Sequence, residues 1–207
     1  MPLDLHSFPG TVDWSGDNPG ILLKDSSGNF SAMSLFFRVS WSPAGTGRLL
    51  LLYASPDTAV PPPSQPNLLV GDSPALADFL VTNFIAKLAV FRDAPAFGGL
   101  RFEYANHFAT HGDPLGPQYS ETIANEEHAV ELAWRQLEDP VALRLTPELT
   151  GTGEHDMFSL LVPSRDASIT VNGASLPGSL GTRVQAGFET TTAFLYFAET
   201  WIIPDND

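Results

Sequence analysis

Apolar residues in this chain come in short runs cut by turn residues, with little of the long helical striping that marks an α-protein. Phe30 to Trp41 (FSAMSLFFRVSW) is rich in aromatic and β-branched residues, SPAGTG breaks it, and Arg48 to Tyr53 (RLLLLY) follows. Two apolar runs across a Gly-containing break predict a hairpin. The leucine run has no alternation, which fits a strand covered on both faces. Leu100 to Phe108 is the most legible strand: Leu100, Phe102, Tyr104 and Phe108 face one way, and Arg101, Glu103, Ala105 and His107 the other. Asn106 is the polar residue on its apolar face. The last third continues in the same manner. Asp156 to Pro163 is an apolar run, and Ser168 to Val171 joins Ala174 to Leu176 through Asn172-Gly173, the pair that supplies the positive φ angles of a type I′ turn. Phe188 to Ile203 reads as one long strand, or two with a bend, ended by Pro204.

Helical signals are few. Ser73-Pro74 places an N-cap oxygen before a residue suited to the first helical turn. Leu80, Phe84 and Leu88 then recur every fourth residue beside Ala77, Val81 and Ile85. Beyond its first two turns this stripe is ambiguous, because 84–92 also reads as a strand pairing with 100–108. Residues 120–139 are ambiguous too. Ile123, Val130, Trp134 and Leu137 make a helical stripe, whereas Val130, Leu132 and Trp134 with Val141, Leu143 and Leu145 make two strands across Glu138-Asp139-Pro140. The hairpin is preferred, since it takes Leu132 inside. The expected fold is therefore mainly β: an antiparallel barrel-like or sandwich domain over 1–207 with one or two packed helices. Residues 1–29 are expected to be irregular, and 55–67 a Pro-rich surface loop.

Composition narrows the class without naming a function. In 207 residues, 43% are hydrophobic and only 16% charged, which excludes a disordered chain. No run approaches the ~18 unbroken apolar residues of a membrane-spanning helix. MPLDLHSFPG lacks a basic leader before an apolar stretch, so the cytoplasm is the default compartment. The net charge is −14, and lysine occurs only at Lys24 and Lys87. Eight scattered arginines against that excess of acid argue against nucleic acid and anionic membranes as partners. Half of the net charge lies between Glu121 and Asp156, read either as solvated surface or as a cation-binding face. Cysteine is absent, which removes thiol catalysis, disulfides and Cys-ligated metals. No Ser-hydrolase elbow, P-loop or dinucleotide loop is present: GASLPG misses the elbow by one residue, and Gly45-Thr46-Gly47 and Gly151-Thr152-Gly153 lack a third glycine.

Two candidate sites remain. His107, His111 and Asp113, in NHFATHGDP at a strand-to-loop junction, have the groups that an acid–base pair or a metal site uses. No organic cofactor is predicted; a divalent metal is the group this set leaves open. Arg101 and Glu103 share the strand face of His107 and could line a ligand site with it, the alternative being a face turned to solvent. Tyr104, Asn106, Trp134 and Tyr196 would combine apolar bodies with polar handles if their strands converge. Glu154-His155-Asp156 cannot converge as neighbours on a strand, although His155 could face a pocket alone. His128 with Glu131 is weaker still. Three functions stay open: a binding protein enclosing a small apolar or amphipathic ligand, an acid–base or metal-assisted enzyme (isomerase, cyclase, lyase or hydrolase) using His107 and His111, and a structural or assembly subunit.

Overall fold

A computed structural model describes residues 9–92, 99–185 and 187–205. Its first strands are β1 (Gly10–Asp17), β2 (Gly20–Lys24), β3 (Phe30–Trp41), β4 (Gly47–Tyr53) and β5 (Asn67–Gly71), followed by the helix α1 (Pro74–Asn83) and a 3-10 turn at Ile85–Lys87. Then come β6 (Phe102–Tyr104), β7 (His107–Gly112), β8 (Gln118–Ala124), β9 (Ala129–Leu137) and β10 (Val141–Leu145). The chain closes with β11 (Asp156–Val171), β12 (Ala174–Ser175), β13 (Ser179–Leu180), β14 (Thr182–Gln185), β15 (Phe188–Thr191) and β16 (Ala193–Pro204). The fold is mainly β, as the short punctuated runs predict.

One large sheet runs β6-β5-β4-β3-β1-β16-β11-β9-β8-β7; β10 and β12 pair with β11, and β2 with β3, β16 and β13. Among the described residues only β5 and β6 pair in parallel; the other ladders are antiparallel. β14 and β15 form a separate hairpin. The sheet coils over on itself, so strands far apart in this order share a core. Phe36, Leu50, Leu52 and Val70 from β3, β4 and β5 pack in one cluster with Ile123, Leu132, Trp134 and Ile169 from β8, β9 and β11. The edge strand β7 comes back against β3 and β4, where Phe108 stacks on Phe36 at 6.1 Å and Arg48 lies 3.9 Å above the Phe108 ring. Arg38 of β3 fastens the same closure, donating to Tyr119 Oη at 2.8 Å and pairing with the buried Glu121.

β4 explains how both faces are covered. Leu49, Leu50, Leu51 and Leu52 are all fully buried. Leu50 and Leu52 point into the closed interior, while Leu49, Leu51 and Tyr53 point to a second cluster. There α1 contributes Leu76, Ala77 and Leu80, the chain beyond it contributes Phe84, Ile85 and Phe91, and β10, β11 and β16 supply Leu145, Met157 and Trp201. Each such side chain contributes about 1.5–3 kcal/mol when taken from water. Ser73 caps α1 as expected, its Oγ accepting from Leu76 N at 3.3 Å, with Pro74 in the first turn.

Several expectations hold: the β3–β4 hairpin, the Pro-rich connection between β4 and β5, and the turn at Asn172 (φ 51°) and Gly173 (φ 79°). Others are corrected. Residues 10–24 are strands β1 and β2, because their backbone pairs with β3 and β16 across long sequence separations that local punctuation does not reveal; residues 1–8 lie outside the described part. The strand reading of 100–108 breaks at Ala105-Asn106, where β6 leaves the parallel pairing with β5 and β7 begins an antiparallel one with β8. Residues 84–92 are 3-10 and turn structure and pair with no strand. Residues 129–137 and 141–145 are both strands, but they do not form a hairpin together. Each pairs with β11, and the hairpin partner of β9 is β8. Of the two readings of Phe188 to Ile203, the second holds: it divides into β15 and β16.

Candidate functional site

The histidine set does not assemble into a site. His107 and His111 lie four residues apart on β7, share its face and are exposed. Asp113 lies past the strand, where its Oδ1 accepts from Leu115 N at 2.8 Å and closes a turn. Among the described residues no group of three or more His, Asp or Glu is placed to hold a metal ion. Because the chain turns at Ala105-Asn106, Arg101 and Glu103 share no strand face with His107. Glu103 instead accepts from Asn125 Nδ2 at 2.5 Å and sits 4.0 Å from His128 Nδ1. Tyr104 and Asn106 are exposed beside it in a shallow groove. Trp134 is core, its Nε1 donating to the Gly20 carbonyl at 3.2 Å. Of the aromatic set, Tyr196 alone borders the deep cavity.

That cavity, of about 240 Å³, lies on the second core cluster between β16, the 84–91 segment, the loop after β10, and β14. Its wall is mostly apolar: Leu22, Leu35, Phe84, Phe91, Leu145, Met157, Phe194 and Trp201 border it. Set into this wall are Asn18, Arg183, Gln185, Tyr196 and Glu199. Five buried polar atoms of the lining residues have no partner at full hydrogen-bond geometry among the described residues: Asn18 Oδ1, Arg183 Nε, Gln185 Oε1, Glu199 Oε2 and Trp201 Nε1, although the Trp201 and Asn18 side chains lie near enough to Glu199 to favour its charged form. Buried polar groups are satisfied in the great majority of cases, so five orphans around one void are a concentrated exception. Arg183 is held in place by stacking 4.4 Å over the Phe194 ring and by donating to Tyr196 Oη at 3.2 Å. The cavity shares Leu145, Leu149, Arg183 and Gln185 with a shallower groove that also borders Arg144 and Val184.

Glu199 reaches this wall through a β-bulge. Along β16, Phe194 and Tyr196 face the cavity side, while Ala193, Leu195 and Phe197 belong to the closed interior. Strict alternation would send Glu199 to the interior side with Phe197. The ladder with β11 instead shifts between Phe158↔Thr200 and Leu160↔Phe197, and Ala198 takes a left-handed φ of 49°. The extra residue restores Glu199 and Trp201 to the cavity face. Glu199 is 1% exposed. Burial raises its carboxyl to about 8, against the opposing pull of Trp201 and Asn18, and the nearby Asp17 charge adds to the rise. A carboxyl so buried keeps its proton at neutral pH.

A second buried polar group adjoins the cavity from behind. His155, fully buried, holds Thr152 Oγ1 at 3.0 Å through Nδ1 and Asp13 Oδ2 at 3.2 Å through Nε2. Its ring meets Phe84 and Trp201 edge-on at 6.1 and 5.8 Å. Asp13 also sits at a register shift, between Val12 and Trp14 of β1. The Asp–His–Thr chain resembles a nucleophilic relay, yet Thr152 does not border the cavity and is 4% exposed. It ties the loop before β11 to β1. Reading the sequence residue by residue misses Asp13, Glu199 and Arg183; the available signal is a lone acid inside the apolar run of β16. Comparison with family models, with characterised proteins and with solved structures returns no match to this chain.

Proposed function

We propose that the chain is a binding protein for a small, largely apolar organic molecule, and that the cavity bordered by Glu199, Arg183 and Trp201 is its site. The observation that carries this reading is the set of five unpartnered polar atoms in an otherwise apolar wall. Ligand sites have that composition: an apolar lining with a few polar groups that fix orientation. A bound molecule supplies the partners these atoms lack, and each orphan costs about 1–3 kcal/mol while the cavity is empty.

Ala89 borders the cavity from an exposed position, so a large side chain there blocks the space without disturbing the core. Titration of small amphipathic molecules, followed by Trp fluorescence and ligand-observed magnetic resonance, should show saturable one-to-one binding. Ala89→Trp should abolish it while leaving the thermal midpoint unchanged. A panel without any saturable binder, or binding that survives Ala89→Trp, removes the cavity as the site. An acid–base enzyme is the second reading, favoured by a carboxyl kept protonated in a pocket, which is the state of a general acid. Chemical conversion of a bound molecule, lost in Glu199→Gln, would replace the first reading with the second.

A further inference from the structure

We infer that the molecule held in this cavity is an organic cation, a protonated primary or secondary amine on an apolar body, with its nitrogen against Glu199. The inference rests on the small-molecule reading above. Three of the five orphan atoms are acceptors, on Asn18, Gln185 and Glu199. The carboxyl decides the matter: rotating an amide exchanges acceptor for donor, whereas Glu199, once it gives up its proton to a bound cation, offers acceptors alone. Glu199 forms no ion pair among the described residues. Arg183, the cation of the cavity wall, is turned onto Phe194 and Tyr196. An ammonium group brings both the missing charge and two or three N–H donors. The aromatic rings of Trp201 and Phe84 in the cavity lining favour a cation further. The chain's net charge of −14 draws cations towards it from solution.

Proton balance gives this inference a signature. The empty site carries its proton on Glu199, and the amine arrives already protonated, so forming the ion pair expels the Glu199 proton to solvent. Affinity should therefore rise nearly ten-fold per pH unit below about 8 and level off above it. A neutral ligand accepting a hydrogen bond from the protonated carboxyl instead gives an affinity that is flat below about 8 and falls above it. The charged and titratable groups facing Glu199 are Asp17 at the end of β1, Tyr196 on its own strand, Arg183 across the cavity and His155 behind Trp201. Glu199→Gln isolates its contribution from theirs.

Isothermal titration with 2-phenylethylamine and hexylamine, beside the matching alcohols and carboxylic acids, tests the inference between pH 6 and 8.5 in buffers of different ionisation enthalpy. The amines should bind at least ten-fold more tightly than the alcohols at pH 8, release close to one proton at pH 7, and gain about ten-fold in affinity from pH 6 to 7. Glu199→Gln should flatten the slope and remove the preference. The wild-type slope and proton count stand without the variant, should it fold poorly. Tighter binding of alcohols or acids, or an amine affinity that is flat or falls with pH, overturns the cation while leaving the cavity as a ligand site. Failure of all three classes to bind overturns both.

Discussion

Glu199 and Arg183 show how much one side chain depends on its surroundings. Both carry ionisable groups into the same apolar wall, but Arg183 has a ring to lie on and a hydroxyl to bond, whereas Glu199 is buried beside groups that leave Oε2 unmatched. The consequence for stability has a definite sign. The folded carboxyl titrates at about 8 and the unfolded one at the ordinary 4.5, so between these values the unfolded chain has released a proton that the folded chain keeps. Stability contributed by this group is complete below the lower value and is lost as pH rises through the window, at about 1.4 kcal/mol per pH unit. Glu199→Gln cannot titrate. Its stability relative to wild type should climb from pH 5 to 8 and then run level, as read from urea unfolding at pH 5, 6.5, 8 and 9. Parallel curves would show that the carboxyl is ionised in the native protein.

Among the elements, β16 matters most because it carries the bulge. One inserted position at Ala198 changes which residues face the cavity, from a set ending at Tyr196 to one that includes Glu199 and Trp201. The left-handed backbone there costs an alanine roughly 1 kcal/mol relative to glycine. Ala198 is exposed, so no packing is lost on removing its methyl group. Ala198→Gly should therefore stabilise the protein by about 1 kcal/mol and leave ligand affinity unchanged, measured as the denaturant midpoint and the binding isotherm of one sample. A destabilised variant would mean that the bulge owes its form to something other than backbone conformation.

For the whole molecule, the decisive feature is that neighbouring residues of one strand serve two cores. Leu50 belongs to the closed interior and Leu51 to the cavity side, and both are fully buried. Neither layer can loosen without β4, so the two should melt together. Leu50→Ala and Leu51→Ala are each expected to cost roughly 2–5 kcal/mol. Each should keep a single cooperative transition with coincident fluorescence and circular dichroism curves. A second transition in either variant would show that the layers unfold separately. The acidic stretch from Glu121 to Asp156 is also redistributed at this scale: Glu121 is buried against Arg38, while Glu154 pairs with Lys87 at 2.6 Å. It is neither a uniform solvated face nor a single cation site.

The amino-acid sequence alone determines what depends on near neighbours. Asn172-Gly173 turns because its backbone angles favour it, Ser73 caps because the free N–H groups lie within its reach, and the β4 leucines announce a strand buried on both sides. Mainly β architecture follows from many such local choices pointing the same way. Partnership and facing do not follow from them. Whether β9 pairs with β8 or β10 turns on contacts across the sheet, since either pairing satisfies the same alternation. The cavity wall depends on a bulge that turns Glu199 towards it, and a bulge is a property of a ladder between two strands. His107, His111 and Asp113 are close in sequence yet separated by a strand's geometry, whereas Asn18, Arg183 and Glu199, distant in sequence, border one void. Chemistry that needs convergence is settled only when the sheet closes, because closure brings remote positions together and removes the water that would otherwise satisfy them.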